Sequence, residues 1–196
     1  MVVKKSSVVV ASMAVISTVL VSSKVFAADL VNANAFFGAG LSTSVIAAAD
    51  YYEDPTISNL GYSYYTANAR ADYAAITDAD IGFLNVGNYA DAEIRFYAND
   101  YGDDWYGLMT PYNTSGTQAS LTSGTWYKVH VSLNNGQMVR DKLTNTQKHE
   151  TTIHELGHAL GLKHQYSPTT SVMLDVGFNN ITDPATIDIN NLKWKY

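Results

Sequence analysis

The chain of 196 residues contains no cysteine. That absence excludes disulfide bracing, a thiol nucleophile and any thiolate ligand for a metal. Positive charge is also scarce, since twelve Lys and Arg stand against eighteen Asp and Glu for a net charge of −6. No basic patch offers itself to a phosphate backbone, so nucleic acid is not an expected partner. No internal repeat and no long linker divides the chain. The one long apolar run, Val8 to Val21, is interrupted by Ser12, Ser17 and Thr18. It is short for a membrane span. Lys4 and Lys5 precede it, and Val25-Phe26-Ala27 follows with small residues at −3 and −1 of a cleavage point. The segment 1–27 therefore reads as a secretory signal peptide. It carries Lys4, Lys5 and Lys24 and no acid, which leaves nine basic and eighteen acidic side chains in residues 28–196. The expectation is one secreted, extracellular domain over 28–196, with bacterial export the natural setting and no membrane partner once the signal is removed. Without disulfides, it must be held by its core and by any bound metal.

Several elements are legible from spacing. Residues 28–41 could be a first strand or the remnant of a short pro-segment. Ser42 to Tyr52 reads as a short helix ended by Pro55, and Gly61 to Thr66 as an aromatic strand. Ala67 to Leu84 fits either helix or strand. Asp91 to Asn99 and Trp126 to Leu133 alternate as strands, and Trp105 to Tyr112 reads as a short one whose Pro111 suits a sheet edge. Asn134-Asn135-Gly136 reads as a turn. Thr144 with Gln147 fits a capping box opening a helix, and Ala185 to Tyr196 has the spacing of a terminal helix. The acidic turn holding Asp100, Asp103 and Asp104 could supply oxygen ligands to calcium; a plain solvated turn is the other reading.

The most specific stretch is TIHELGHALGLKH, Thr152 to His164. On a helix, His154 and His158 lie one turn apart on one face, the geometry that closes on a tetrahedral zinc. Gly161 can reverse the chain at the helix end, because it enters the left-handed region without a Cβ penalty. His164 can then return to the same metal. Three neutral imidazoles leave zinc its full charge and one position for water. Glu155, one residue from His154, is badly placed to join the ligand set and well placed to take that water's proton. Gly157 reads as room for another element to approach the helix. His149 falls off the ligand face, His130 has no acid or histidine grouped with it, and Tyr166 reads as packing or as an aid to an oxyanion.

HELGHALGLKH followed by Ser171-Val172-Met173 resembles the metzincin clan of zinc endopeptidases, and within it the matrixin-type and related small secreted bacterial enzymes. The resemblance implies an α+β fold with a twisted mixed sheet, an active-site helix and a C-terminal helix. It implies catalysis of peptide hydrolysis on an extended peptide or protein substrate. His154, His158 and His164 take the ligand roles, Glu155 the base, Gly161 the turn, and Met173 the methionine that floors the metal. An edge strand around Tyr106 to Tyr112 is implied as the peptide-binding element, and Leu174 and Asp175 as part of the specificity pocket. This chain departs from the matrixin pattern in three respects. Leu174 and Asp175 stand where tyrosine and proline are usual, no cysteine exists to impose latency, and the histidines of a second, structural zinc are missing. The readings that compete with a secreted endopeptidase are an interaction protein with an unproductive zinc site and a hydrolase of cell-wall peptide.

Overall fold

The computed structural model describes residues 28–196, and in it the helices pack around a five-stranded sheet. The segment 1–27, read above as a signal peptide, lies outside the described residues. A 3-10 turn over Asn32–Ala35 leads to β1 (Ala39–Gly40), α1 (Thr43–Ile46), β2 (Ala49–Glu53), α2 (Pro55–Asn59) and α3 (Ser63–Ala74). Then come β3 (Phe83–Asn85), β4 (Ile94–Asn99), β5 (Gly107–Tyr112), β6 (Gly124–Thr125) and β7 (Lys128–Asn134). The chain finishes with α4 (Asn135–Arg140), α5 (Asn145–Ala159) and α6 (Thr186–Lys195). The main sheet has the order β3-β2-β4-β7-β5. Its pairings are parallel except for β5 against β7, which is antiparallel.

Alternation along the strands sets the core. Ile94 pairs with Val129, Phe96 with Val131 and Ala98 with Leu133, and all six are fully buried on the sheet's inner face. Helices α3 and α5 pack against each other, and α5 also contacts β5 and β7. The arrangement is the mixed α+β one expected, with the site helix packed on the sheet and the last helix against the Asn32–Ala35 turn. Pro111 sits within β5, whose outer edge is unpaired in the main sheet, so its missing N–H breaks no ladder there.

Four local expectations are corrected. The helix expected over Ser42 to Tyr52 is only α1, capped by Ser42, after which the chain enters β2. Tyr51 and Tyr52 are β-formers, and β2 is paired on both sides. Pro55 opens a helix rather than ending one, because it occupies the first turn behind the Asp54 cap, where its missing N–H costs nothing. The strand expected at Gly61 to Thr66 is the start of α3, since Tyr62 and Tyr65 turn inward and their hydroxyls donate to Asn135 and Asn145. Asn134-Asn135-Gly136 is not a hairpin turn but the capped start of α4, with Asn134 accepting from the Gln137 N–H at 3.2 Å. A Cβ at Gly136 would stand 2.1 Å from an Asp100 carboxylate oxygen, so that glycine permits a close approach. The ambiguous Ala67 to Leu84 divides between the end of α3 and β3. Residues 28–41 fold into the body: Leu30 exchanges two hydrogen bonds with the Gln165 amide, and the Phe37 N–H donates to the Gly161 carbonyl.

Candidate metal centre

Helix α5 starts where a reciprocal cap satisfies its first orphan N–H groups. The Thr144 hydroxyl accepts from the Gln147 N–H at 3.2 Å, and the Gln147 side chain accepts from the Thr144 N–H at 2.9 Å. Fifteen residues later the helix stops, and Gly161 takes a φ of 90°, a left-handed value that favours glycine. The chain therefore turns back within five residues of His158. His154, His158 and His164 come together, with one ring nitrogen from each within 4.8 Å of the others. His158 Nε2 and His164 Nε2 are 3.0 Å apart. Two nitrogens bound to one tetrahedral zinc would be separated by about 3.3 Å, given Zn–N bonds of about 2.0–2.1 Å.

The outer nitrogens are already committed. His154 Nδ1 donates to the Val172 carbonyl at 2.7 Å, and His158 Nδ1 to the Leu162 carbonyl at 2.7 Å. A carbonyl only accepts, so the proton of each neutral ring belongs on Nδ1 and the Nε2 lone pair faces inward. Burial pushes His154 down to about 4 and holds His158 well below the usual range, where His154 adds repulsion. Burial also lowers His164, opposed by the nearby Asp175 carboxylate. Neutral imidazoles with inward lone pairs fit a soft-to-borderline divalent metal.

Glu155 lies against the edge strand. A Cβ at Gly107 would fall 2.5 Å from Glu155 Cγ and 2.7 Å from Oε1, so only a glycine in β5 admits this carboxylate. Burial raises Glu155 to about 8, and a backbone N–H from Met109 works in the opposite direction. Met173 is fully buried beneath the helix. Its sulfur would be 2.5 Å from a Cβ at Gly157, and the Tyr73 hydroxyl 2.6 Å from it, so this glycine does make room for a neighbouring element. Gly157→Ala is expected to cost about 2 kcal/mol in a denaturant titration, because the overpacking exceeds alanine's advantage in helix propensity. An unchanged midpoint would mean that Met173 and Tyr73 repack freely.

Sequence spacing did not reveal three contributors. Asp188 on α6 accepts from the Ser171 hydroxyl at 2.5 Å and the Val172 N–H at 3.0 Å, fixing the turn that carries Met173. Glu150 accepts from the Asn179 and Asn180 N–H groups, each at 2.8 Å. Gly107 is the third. Their partners are distant in sequence, so only the residue identities were visible. Leu174 and Asp175 line a cleft of about 340 Å³ beside His154, Glu155 and His164. His149 is buried off the ligand face, 3.8 Å from Asp72, and His130 lies between the Tyr97 and Tyr112 rings. Tyr166 is largely exposed.

The acidic turn is arranged differently. Asp100 faces Arg140 at 3.6 Å, and Asp103 accepts from the Trp105 indole at 3.1 Å. Among the described residues, the three histidines alone form a group of potential ligands converging within 4.8 Å; Asp100, Asp103 and Asp104 do not make a second. No calcium site is shown at this turn, whose side chains have the partners just named.

Against known proteins, residues 58–192 match the model of the matrixin peptidase family. No curated protein matches the chain. A solved structure titled "GM1 bound form of the ECX AB5 holotoxin" aligns with a TM-score of 0.53 at 16% identity, covering 84% of this chain and 86% of that one. At that identity the likeness concerns the fold.

Proposed function

This chain belongs to the matrixin family of zinc metallopeptidases, and from that premise we propose that it is a secreted endopeptidase in which Glu155 is the general base. The observation that carries the proposal is the convergence of three histidines beside a buried carboxylate that pairs with no Lys or Arg among the described residues. The donor set fits zinc: three nitrogens, two with their tautomers fixed by backbone carbonyls. His154, His158 and His164 would hold the ion. When bound, zinc supplies a Lewis acid and brings the pKa of a water ligand from about 16 towards about 7.

The chain's own groups do the rest. The outer edge of β5 meets the Gln118–Ala119 segment only at Pro111 and Tyr112, and its first residues from Gly107 are where an extended peptide can add as a further strand. Glu155, held against Gly107 of that same strand, is placed to accept a proton at its carboxylate and return it to the departing amine. The cleft lined by Val172, Leu174 and Phe178 receives a side chain flanking the cleaved bond. Met173 gives the site an apolar floor that does not compete for the ion. The Lys4-Lys5 pair and the apolar run before Ala27 support export. Among the described residues, no helix is long and apolar enough to cross a membrane.

A binding protein with a structural zinc would have no use for Glu155, since an unpaired buried carboxylate costs stability. Purified protein is expected to contain about one zinc per chain by metal analysis and to cleave members of a diverse peptide library. A chelator should abolish that cleavage. Protein without zinc would sink the site assignment, and protein with zinc but no cleavage would sink the endopeptidase reading. Including cell-wall peptides in the library separates the wall-hydrolase alternative.

A further inference from the structure

The cleft beside the histidines carries more charge than the reaction uses. Its lining includes three carboxylates, Glu150, Glu155 and Asp175, and neither a Lys nor an Arg. Glu155 is assigned to proton transfer. Resting on the endopeptidase reading, we propose that Glu150 and Asp175 make the cleft a subsite for a cationic side chain, so that the enzyme favours substrates with Arg or Lys next to the cleaved bond.

Glu150 lies one helical turn before His154, on the face of α5 that borders the cleft. It is only 3% exposed. Its two carboxylate oxygens accept from the backbone N–H groups of Asn179 and Asn180. Those donors carry no charge; burial works against the ionised carboxylate and these hydrogen bonds favour it. In a poorly solvated setting an unbalanced charge projects further than it does in water. Asp175 stands at the exposed rim. Its backbone N–H donates to the Gln165 carbonyl at 2.9 Å, which fixes the chain from which the carboxylate extends.

The walls suit the rest of such a side chain. Tyr106 and Phe178 pack with ring centroids 5.8 Å apart, and Val172, Leu174 and Val176 complete an apolar passage. Lys and Arg cover apolar surface with their methylene stems while placing the charged head against an acid. A Leu side chain would use the walls and leave both carboxylates unanswered, and a Glu side chain would meet like charge. The exposed acid is screened by salt and the buried one much less, so selectivity should weaken with ionic strength without vanishing.

The test is a peptide series cleaved by the zinc-loaded enzyme, with Arg, Lys, norleucine, Leu or Glu placed in turn on either side of the cleaved bond. The Arg and Lys peptides are expected to exceed Leu in kcat/KM by about tenfold, and Glu by more. Asp175→Asn should reduce the Arg-to-Leu ratio about threefold, as neutralising one exposed charge would. Asp175→Lys should reverse the preference toward the Glu peptide. Glu150→Gln would remove one acceptor from the loop behind it and could unfold that loop, so the two Asp175 variants carry the test. Cleavage that favours Leu or norleucine at both positions overturns the cationic subsite and leaves the endopeptidase standing. An Asp175→Lys ratio equal to that of the unaltered enzyme likewise overturns the subsite. Absence of cleavage from every peptide overturns both readings.

Discussion

Replacing Glu155 with alanine is expected to lower kcat/KM by about 10²- to 10⁴-fold, the range for losing a positioned general base, while the protein keeps its zinc. The two readouts separate because Glu155 is not among the three converging ligands. A third readout makes the prediction sharper. Glu155 is 6% exposed, and burial raises its pKa to about 8. Burial makes this carboxylate a cost to the metal-free folded state, so in protein stripped of zinc its removal should leave the melting temperature unchanged or raise it by a few degrees. A residue kept for packing would behave in the opposite way, losing stability with activity. Steady-state kinetics, metal analysis and a thermal scan of the stripped protein decide the matter. Retained activity would remove Glu155 from the reaction, and loss of zinc would mean that it supports the ligands.

The contrast between what spacing reveals and what it hides has a physical origin. Helix α5 was legible because its determinants are local: a Thr144–Gln147 cap, apolar residues at helical intervals and Gly161 at the exit. The two best strands, β4 and β7, were legible because apolar residues alternate along both, Ile94, Phe96 and Ala98 facing Val129, Val131 and Leu133. The tyrosines at the start of α3 misled because aromatic residues favour strands in general, whereas here Tyr62 is buried against α4 and Tyr65 donates to Asn145 at the start of α5. Tertiary packing overrode propensity. The site divides in the same way. The histidines and Glu155 lie within eleven residues of each other, so one helix and one turn specify them. Gly107 earns its place through a carboxylate forty-eight positions away, and Glu150 through backbone groups about thirty positions away. No local pattern encodes such partners.

Asp188→Ala is expected to be the most damaging change outside the histidines and Glu155, since it acts on both stability and metal affinity. Asp188 is 1% exposed and accepts from the Ser171 hydroxyl, the Val172 N–H and, at 2.9 Å, the Ala185 N–H. Ser171 passes the constraint on, because its hydroxyl oxygen accepts from the Met173 N–H at 2.8 Å. The Val172 carbonyl, in the same turn, receives His154 Nδ1. One carboxylate on α6 therefore sets the position of the methionine and of the group that fixes a ligand's tautomer. Alanine would leave three donors without this acceptor, two of them buried. At about 1–3 kcal/mol each, and with partial relaxation, the loss should be about 3–5 kcal/mol. That is a large share of the roughly 5–15 kcal/mol by which domains are stable. Zinc affinity should fall about 10- to 100-fold, the usual consequence of disturbing a ligand's outer hydrogen bond. Asp188→Asn supplies the control. It keeps one acceptor oxygen but turns an amide toward the remaining donors, so its loss should be intermediate in both measurements. Denaturant unfolding reads the first effect and chelator competition the second. A variant that loses stability while binding zinc as tightly as before would show that His154 is oriented by α5 alone, and that the turn below it follows the helix rather than holding it.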